Sequence, residues 1–340
     1  MRTIRWGMIG CGDVTEVKSG PGFYKAKNSE LVAVMRRNGP LAQDYAKRHN
    51  IQRWYDTADP IINDPDIDAV YIATLTDTHA DYTMRCAAAG KAVYCEKPMG
   101  MNYAQCNEMI GAARSAKVPL WIAFYRRALP RFQKLKQLID EKAIGNVRVV
   151  MSRQFVPLQG KWATMPATDG QPPWRTDPAR SGGGLFFETA CHTLDSLDYI
   201  FGPIEDVRGF AANKGGTYSA EDTATASYRF ASGVYGSGAW CYSADHAYEM
   251  NEIIGENGRI IYSTTKPVPI KLYRGDAVEE FDVGDPEHVH QPLIQSIVDE
   301  MNGSGKCPST GETAARTAWV MDRLLAEFYP GRDRGRVPGH

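Results

Sequence analysis

Val93-Tyr94-Cys95-Glu96-Lys97-Pro98 is a short apolar, β-prone run that ends abruptly in a carboxylate, an amine and a proline. An apolar strand that is buried in a sheet can end in charged groups only where it emerges into a crevice. In an open parallel sheet, ligands bind at that edge. Lys97 is therefore either a reactive group directed at a substrate or a surface cation that ends a strand. Pro98 is predicted to fix the backbone there through a cis peptide bond.

The composition indicates a globular chain of two domains. Its 340 residues are 43% hydrophobic and 23% charged, which is enough for a large core and more chain than one doubly wound domain needs. A formal net charge of −1 argues against a nucleic-acid or membrane-surface binder, and the apolar runs are too short for a membrane span. The seven cysteines lack a Cys-x-x-Cys spacing and no signal-like segment precedes the first strand, so we expect reduced thiols and a cytoplasmic protein.

The first third of the chain alternates predicted strands with predicted helices. A strand at residues 4–9 leads into Gly10-Cys11-Gly12 and a helix to about residue 26, and further strands are expected at 31–35, 69–73 and 93–95. This alternation predicts an α/β domain with a doubly wound parallel sheet over residues 1–123. Because crossovers are right-handed, the carboxyl ends of all these strands share one edge.

After residue 123 the pattern changes. One predicted helix is followed by strands that are joined by hairpin signals such as Ala231-Ser232-Gly233. Consecutive hairpins predict an α+β domain with a largely antiparallel sheet over residues 124–330. The stretch 331–340 is rich in Gly, Pro and Arg and is predicted to be a loose tail.

The glycine turn after the first strand is the predicted dinucleotide site. Backbone amides of Gly10-Cys11-Gly12, with Asp13 and Val14 opening the helix, can approach a pyrophosphate. Arg36 and Arg37 follow the second strand, where an NAD-binding domain normally carries an acid. Two guanidiniums suit a 2′-phosphate, so NADP is predicted and NAD is the alternative. The other interpretation is two solvated arginines after a strand.

Two further groups of polar residues are candidates for a site. Thr74-Leu75-Thr76 follows the fourth strand at the same sheet edge, and His79 either contacts cofactor or caps a helix. Glu188 and His192 are spaced i and i+4 on a predicted helix, an arrangement that suits a proton carrier near neutral pH. The alternative is a structural histidine that is held by an ion pair.

The second-domain helix follows the run Gly182-Gly183-Gly184, which indicates a close approach to some other group. Asp195 lies at i+7 from Glu188, either on the same side or on a solvated face. His246, His288 and His290 lie in polar loop contexts and are weak candidates. With no Cys/His/Asp cluster at ligand spacing, no metal is predicted.

Together these motifs resemble the Gfo/Idh/MocA oxidoreductases over nearly the whole chain. The resemblance rests on the glycine turn, on Thr74 to His79, on Glu96-Lys97-Pro98, and on the block from Gly182 to His192. It implies a Rossmann domain followed by a domain with a large, open, mixed and mostly antiparallel sheet that often mediates oligomerisation. It also implies bound NAD(P), a sugar or polyol substrate, and a homo-oligomer that is a dimer or a tetramer.

The resemblance also implies roles for individual residues. Lys97 contacts the substrate hydroxyl or keto oxygen, His192 acts as acid/base, and Glu188 helps to bind substrate at a position where Asp is usual. Glu96 and Lys97 would also contact the cofactor. Trp174-Arg175 resembles the pair with which some NADP-using members reach across to the cofactor.

Three functions are compatible with these features. The first is an NADP-preferring oxidoreductase that moves hydride between nicotinamide and a secondary alcohol or ketone of a sugar, anhydrosugar or polyol. The second is a glycoside dehydrogenase that makes a keto-sugar with tightly held, recycled cofactor. The third is a non-catalytic NAD(P)-binding sensor, against which the presence of both Lys97 and His192 argues.

Overall fold

The computed structural model describes residues 1–157 and 173–332. Its contacts define two compact units. The first unit consists of Met1–Gly100, Ala104–Leu129 and Pro286–Ala314. The second consists of Met101–Tyr103 with the described parts of Pro130–Asp285 and Ala315–His340. The linear boundaries 1–123 and 124–330 stay a prediction, and the predicted loose tail lies almost entirely outside the described residues.

The first unit contains a parallel sheet. Six strands form it among the described residues: β1 (Ile4–Ile9), β2 (Ser29–Met35), β3 (Arg53–Tyr55), β4 (Ala69–Ile72), β5 (Ala92–Cys95) and β6 (Leu120–Ile122). Their order is β3-β2-β1-β4-β5-β6, and every pairing is parallel. Strands β4 and β5 are buried at every position, as expected for a sheet covered on both faces. The predicted doubly wound parallel sheet is confirmed.

The helices of the described residues are listed here in chain order: α1 (Asp13–Val17), α2 (Gly20–Lys25), α3 (Gly39–Arg48), α4 (Asp59–Ile62), α5 (His79–Ala88), α6 (Tyr103–Ala116), α7 (Pro130–Asp140), α8 (Pro178–Ser181), α9 (Leu185–Phe201), α10 (Gln291–Met301) and α11 (Gly311–Leu325). Helix α10 packs on α2 inside the first unit. Within the described ranges, none of these helices has the length and apolar character to cross a membrane.

The prediction of a single helix between the glycine turn and residue 26 is wrong, because the structure has two helices there, α1 and α2. The chain breaks at Ser19, and α2 starts with Pro21 in its first turn. Proline has no N–H to donate and is favoured at a helix start, so it opens a new helix instead of continuing α1. At Gly20 an added Cβ would lie 2.1 Å from the Thr15 carbonyl oxygen, so only glycine fits the bend.

The second unit contains a mixed sheet. Its eight described strands are β7 (Val147–Pro157), β8 (Ile204–Ala212), β9 (Thr223–Phe230), β10 (Tyr235–Ala244), β11 (Tyr248–Gly255), β12 (Arg259–Tyr262), β13 (Ile270–Arg274) and β14 (Ala277–Phe281). Only the β7–β10 pairing is parallel among them, which confirms the mixed, mostly antiparallel prediction. Helix α9 packs on β9 and β10, while Phe210 and Tyr235 point to the opposite face and are exposed.

Candidate active site

The glycine turn after β1 closes tightly against two neighbouring strands. The amides of Gly10 and Cys11 donate to the Met35 carbonyl oxygen at 2.8 and 3.0 Å. Gly10 has φ +99°, and an added Cβ there would lie 2.7 Å from the Ala73 carbonyl oxygen. At Gly12 the nearest atom to an added Cβ is 4.0 Å away, so this side of the turn is open. An open backbone before α1 fits the pyrophosphate of a dinucleotide.

Arg36 lies beside this turn. Its Nη1 donates to the Cys11 carbonyl oxygen at 3.4 Å, whereas Arg37 is exposed. Burial raises the pKa of the Cys11 thiol to about 11, and the positive charge of Arg36 opposes that rise. Asn38 has a separate task, because its side chain accepts the Leu41 N–H at 3.2 Å and caps α3. The end of β2 is therefore cationic next to the candidate cofactor turn.

The His79 imidazole forms hydrogen bonds with the loop after β4 and with the loop after β5. The imidazole is buried, with Nδ1 2.9 Å from the Pro98 carbonyl oxygen and Nε2 3.2 Å from the Thr74 carbonyl oxygen. The Thr78 hydroxyl donates to Thr74 Oγ1 at 2.7 Å, while Leu75 is half-buried between them. His79 thus contacts backbone at both ring nitrogens, and its predicted contact with cofactor stays a prediction.

Lys97 is the second residue after the buried strand β5. The Lys97–Pro98 peptide bond is cis, as predicted. Lys97 is half-buried, whereas Glu96 before it is buried. The Glu96 carboxylate accepts the Tyr71 hydroxyl at 2.6 Å and the Lys97 backbone N–H at 3.2 Å. The carboxylate is thereby engaged with the interior of the first unit.

The sequence analysis ranked His290 as a weak candidate, whereas the structure places it beside Tyr94 and Glu96. It lies before α10, is 1% exposed, and has Nδ1 3.0 Å from Tyr94 Oη and 3.7 Å from Glu96 Oε1. The Tyr125 ring stacks on it with ring centroids 4.4 Å apart. Tyr71 and Tyr94 could have indicated such a residue in the sequence, because a tyrosine hydroxyl inside a buried strand needs a polar partner.

In the second unit, the glycine run directly before α9 lies close to the backbone at Glu221. An added Cβ at Gly184 would lie 2.1 Å from the Glu221 carbonyl oxygen, and Gly182 has φ +86°. The buried Glu221 carboxylate accepts the N–H groups of Gly184 at 2.8 Å and Phe187 at 3.1 Å. Tyr329 donates its hydroxyl to the same carboxylate at 2.6 Å. The predicted close approach is therefore one of this chain to itself, and it caps the helix.

Helix α9 carries Glu188 in its first turn and His192 one turn later. Glu188 is buried, and its Oε1 lies 3.7 Å from Arg175 Nε. The Arg175 guanidinium stacks over the Trp174 ring at 4.3 Å. His192 is half-buried, and Asp195 is 1% exposed, so the alternative of a solvated face for Asp195 is wrong. The predicted contact of Trp174 and Arg175 with cofactor stays a prediction.

The strand ends of the first unit bring together the glycine turn, Arg36, the Thr74 loop and Lys97. In the second unit, Arg175 contacts Glu188 on α9, the helix that also carries His192. No cluster of three or more His, Cys, Asp or Glu side chains suited to a metal occurs in the searched ranges, 1–157 and 173–332. The first unit thus fits a dinucleotide. The candidate catalytic groups are the Lys97 amine in the first unit and the His192 imidazole in the second.

Comparison with known proteins identifies the family. Residues 4–124 match the model of the oxidoreductase family with an NAD-binding Rossmann fold, and residues 132–261 match the GFO/IDH/MocA C-terminal domain. Oxidoreductase P35 of Formosa agariphila is 38% identical over 319 residues, which cover 94% of this chain and 97% of that protein. The chain therefore belongs to the GFO/IDH/MocA oxidoreductases. It is an NAD(P)-dependent oxidoreductase that acts on CH–OH groups.

Two other similar proteins have more specific names. The 1,5-anhydro-D-fructose reductase of Ensifer adhaerens is 28% identical, and the match covers 95% of this chain and 94% of that protein. The structure of levoglucosan dehydrogenase in complex with NADH and levoglucosan has a TM-score of 0.82 at 21% identity, covering 95% of this chain and 96% of that one. The structural match at this identity shows the shared fold.

Proposed function

We propose that this enzyme prefers NADP and transfers hydride between nicotinamide and a secondary alcohol or ketone of a sugar, anhydrosugar or polyol. The observation that carries the proposal is the sheet edge of the first unit, where Lys97 follows β5 and the open turn at Gly12 follows β1. The similarity to proteins named for 1,5-anhydro-D-fructose and levoglucosan supports a cyclic sugar derivative as substrate.

The bound nicotinamide would supply the hydride chemistry, and the residues of this chain would handle charge and protons. The Lys97 ammonium stabilises negative charge that develops on the substrate oxygen. The His192 imidazole takes the hydroxyl proton in oxidation and returns it in reduction. Glu188 accepts a substrate hydroxyl, with its carboxylate oriented by Arg175.

The NADP preference rests on Arg36. Its guanidinium lies against the Cys11 carbonyl oxygen, and no carboxylate stands directly after β2 to repel a 2′-phosphate. In the variant that combines Arg36→Ala and Arg37→Ala, the ratio of kcat/KM for NADP to that for NAD should fall. Arg114→Ala is a matched control, because Arg114 is exposed on α6 and pairs with Glu312. An unchanged NADP/NAD ratio would refute the phosphate contact.

A substrate panel tests the activity itself. Sugars, anhydrosugars, inositols and glycosides are incubated with NADP⁺ and NAD⁺, and the corresponding ketones with NADPH and NADH, while the nicotinamide absorbance is followed. We expect turnover with a cyclic sugar derivative. Purification of the protein with nicotinamide nucleotide that survives gel filtration would favour the glycoside dehydrogenase. Failure to oxidise or reduce any carbohydrate or polyol would contradict the substrate class.

A homo-oligomer remains part of the proposal. The exposed face of the mixed sheet presents Phe210, which is 72% exposed, and Tyr235, which is 60% exposed. Aromatic side chains on an open sheet face are typical of interfaces. Light scattering should give a dimer or a tetramer, and Phe210→Asp should shift it toward the monomer.

A further inference from the structure

We propose that Tyr45 and His288 are positioning residues for the dinucleotide. They supply two hydrogen-bond donors that the carboxyl end of α1 lacks, and they thereby fix the glycine turn from which α1 starts. The inference rests on the proposed function, in which this turn binds the dinucleotide. It gives a role to His288, a weak candidate in the sequence, and to the return of Pro286–Ala314 to the first unit.

Helix α1 is too short to hold its own position. It has five residues, Asp13–Val17, and begins directly after Gly12, whose backbone is open on one side. The first and last turns of a helix leave N–H and carbonyl groups without helical partners, and a helix of this length consists of little else. The position of α1, and of the N–H groups at its start that would meet a pyrophosphate, therefore depends on contacts with other elements.

The break after α1 removes the donors that would continue the helix. In a continuous helix, the Ser19 N–H would donate to the Thr15 carbonyl oxygen. It donates instead to the Val14 carbonyl oxygen at 3.2 Å. The corresponding donor for the Val17 carbonyl oxygen would be residue 21, which is Pro21 and has no N–H. Two carbonyl oxygens at the break thus need donors from elsewhere in the fold.

Tyr45 and His288 donate to these two oxygens. The Tyr45 hydroxyl, on α3, donates to the Thr15 carbonyl oxygen at 2.8 Å. His288 Nδ1, from the segment before α10, lies 2.7 Å from the Val17 carbonyl oxygen. Both side chains are buried, so water does not readily take their place. Each contact replaces a hydrogen bond that the broken helix cannot make.

His288 is itself held in one tautomer. A carbonyl oxygen can only accept, so Nδ1 carries a proton. On the other side of the ring, Nε2 lies 2.6 Å from Lys25 Nζ on α2, and an ammonium can only donate. Two residues further on, the His290 backbone N–H donates to the Lys18 carbonyl oxygen at 3.1 Å. The segment before α10 therefore contacts the break between α1 and α2 at two neighbouring points.

Thr15 connects these contacts to the glycine turn. Its hydroxyl donates to the Gly12 carbonyl oxygen at 2.7 Å, and its backbone N–H donates to the same oxygen at 2.9 Å. A displacement of Thr15 would therefore move the Gly12 peptide. The apparent affinity for a ligand falls in proportion to the fraction of molecules in the binding-competent arrangement. Loss of either donor should thus weaken dinucleotide binding.

Glu16 gives α1 a further contact of a different kind. Its carboxylate accepts two hydrogen bonds from the Arg48 guanidinium, at 2.7 and 2.8 Å. Both side chains are partly exposed, and ion pairs in contact with water contribute little. The buried donors of Tyr45 and His288 are therefore the contacts on which the position of α1 depends most.

The experiment is a fluorescence titration of Tyr45→Phe and His288→Ala with NADPH, or with NADH where that nucleotide binds more tightly. Each variant should raise the dissociation constant by about 3- to 10-fold, the usual contribution of one hydrogen bond. With the substrate that the panel identifies, KM for the nucleotide should change more than kcat. His288→Asn keeps a side-chain N–H donor and should recover most of the affinity.

Tyr228→Phe is the matched control. Tyr228 is buried in β9 of the second unit, and its hydroxyl also donates to a backbone carbonyl oxygen, that of Ser237, at 3.2 Å. The variant should lose stability in urea without a change in the nucleotide dissociation constant. A purely structural role for Tyr45 and His288 predicts this same result for them. An unchanged dissociation constant in Tyr45→Phe or His288→Ala, or an equal rise in Tyr228→Phe, would overturn the inference.

Gly12→Ala tests the proposed function separately. Gly12 has φ −127°, an extended conformation that alanine also adopts, and no atom lies nearer than 4.0 Å to an added Cβ. The methyl group therefore fits the fold but occupies the open side of the turn. Undiminished nucleotide affinity in Gly12→Ala would show that the dinucleotide does not use this turn. Weakened binding in Gly12→Ala together with unchanged binding in Tyr45→Phe would refute the inference alone.

A measurement on the wild-type protein covers the case in which a variant does not fold. By linkage, a nucleotide bound at the turn should strengthen the contacts that hold α1. Amide hydrogen exchange, followed by mass spectrometry, should therefore slow at residues 286–290 as well as at residues 10–18 when the nucleotide is added. Slowing that is confined to residues 10–18 would overturn the inference.

Discussion

The two candidate catalytic residues, Lys97 and His192, each have a buried glutamate nearby that accepts a tyrosine hydroxyl. Lys97 follows a buried strand, and Glu96 behind it accepts the Tyr71 hydroxyl at 2.6 Å. His192 lies on α9, and the buried Glu221 at the start of that helix accepts the Tyr329 hydroxyl at 2.6 Å. In each unit, a tyrosine-bound carboxylate therefore contacts the element that carries or precedes a candidate catalytic residue.

The two carboxylates differ in what else they contact. Glu221 accepts backbone N–H groups of Gly184 and Phe187, so it fixes where α9 begins. Glu96 accepts a backbone N–H group, that of Lys97, and lies 3.7 Å from His290 Nδ1. Glu221 therefore contacts the start of a helix, whereas Glu96 contacts side chains of the sheet and the backbone at a strand end.

The largest expected effect is on turnover. Lys97→Met removes the charge that stabilises the substrate oxygen, and we expect kcat to fall by about 10³-fold. His192→Asn removes a proton carrier and should lower kcat by about 10²-fold. Both values come from steady-state rates at saturating NADPH and substrate.

Fluorescence titration with NADPH provides the control for both variants. The dissociation constant should stay within a few-fold of the wild-type value, because neither change touches the glycine turn or Arg36. A larger loss in His192→Asn than in Lys97→Met would reverse the ranking and make proton exchange the dominant contribution.

Much of the fold follows from patterns that the sequence displays directly. Alternation of apolar strands with helices predicted the parallel sheet, and the hairpin turns predicted the largely antiparallel one, whose mixed character was implied by the family resemblance. The turn at Gly10 and the run at Gly182 could be recognised because glycine alone tolerates φ values of +99° and +86°. Local backbone requirements of this kind are visible in single residues.

The side-chain contacts between residues far apart in the sequence could not be predicted in this way. His290 meets Tyr94 across 196 positions of sequence, and Tyr329 meets Glu221 across 108. Such pairs leave no periodic pattern, and the surroundings of His290 read as a polar loop. The return of Pro286–Ala314 to the first unit has the same origin, because α10 packs on α2 through ordinary apolar positions.

Substitutions at Gly10 and Gly184 compare how tightly the backbone is packed at the turn after β1 and at the start of α9. Gly184→Ala would bring a Cβ to 2.1 Å from the Glu221 carbonyl oxygen, and Gly10→Ala would combine a 2.7 Å contact with a positive φ. Each change should cost about 3 kcal/mol of unfolding free energy, from overpacking and strain. Gly90→Ala isolates the cost of the positive φ, because nothing lies within 4 Å of its added Cβ. Urea denaturation measures all three, and an equal loss in all of them would exclude close packing as the cause.

The buried His290 should make the protein less stable in acid. Unfolded His290 binds a proton below its usual pKa of 6.5, whereas the folded imidazole stays neutral until about pH 3. Between these values the unfolded state binds more protons, so stability falls as pH falls. Relative to His290→Gln, the wild-type protein should lose about 2 kcal/mol more between pH 7 and pH 5. Urea midpoints at both pH values measure this, and parallel losses would show that His290 is protonated in the folded protein.

The smallest expected effects are those of the two tyrosine hydroxyls. Tyr71→Phe and Tyr329→Phe each remove a hydrogen bond to a buried carboxylate, which should cost about 1 to 2 kcal/mol of unfolding free energy. Tyr71 is fully buried, whereas Tyr329 is partly exposed and water can replace its hydroxyl. The loss should therefore be larger for Tyr71→Phe. Urea denaturation of both variants checks this order, and a larger loss for Tyr329→Phe would show that the cap on α9 depends more on its tyrosine than the Glu96 carboxylate does.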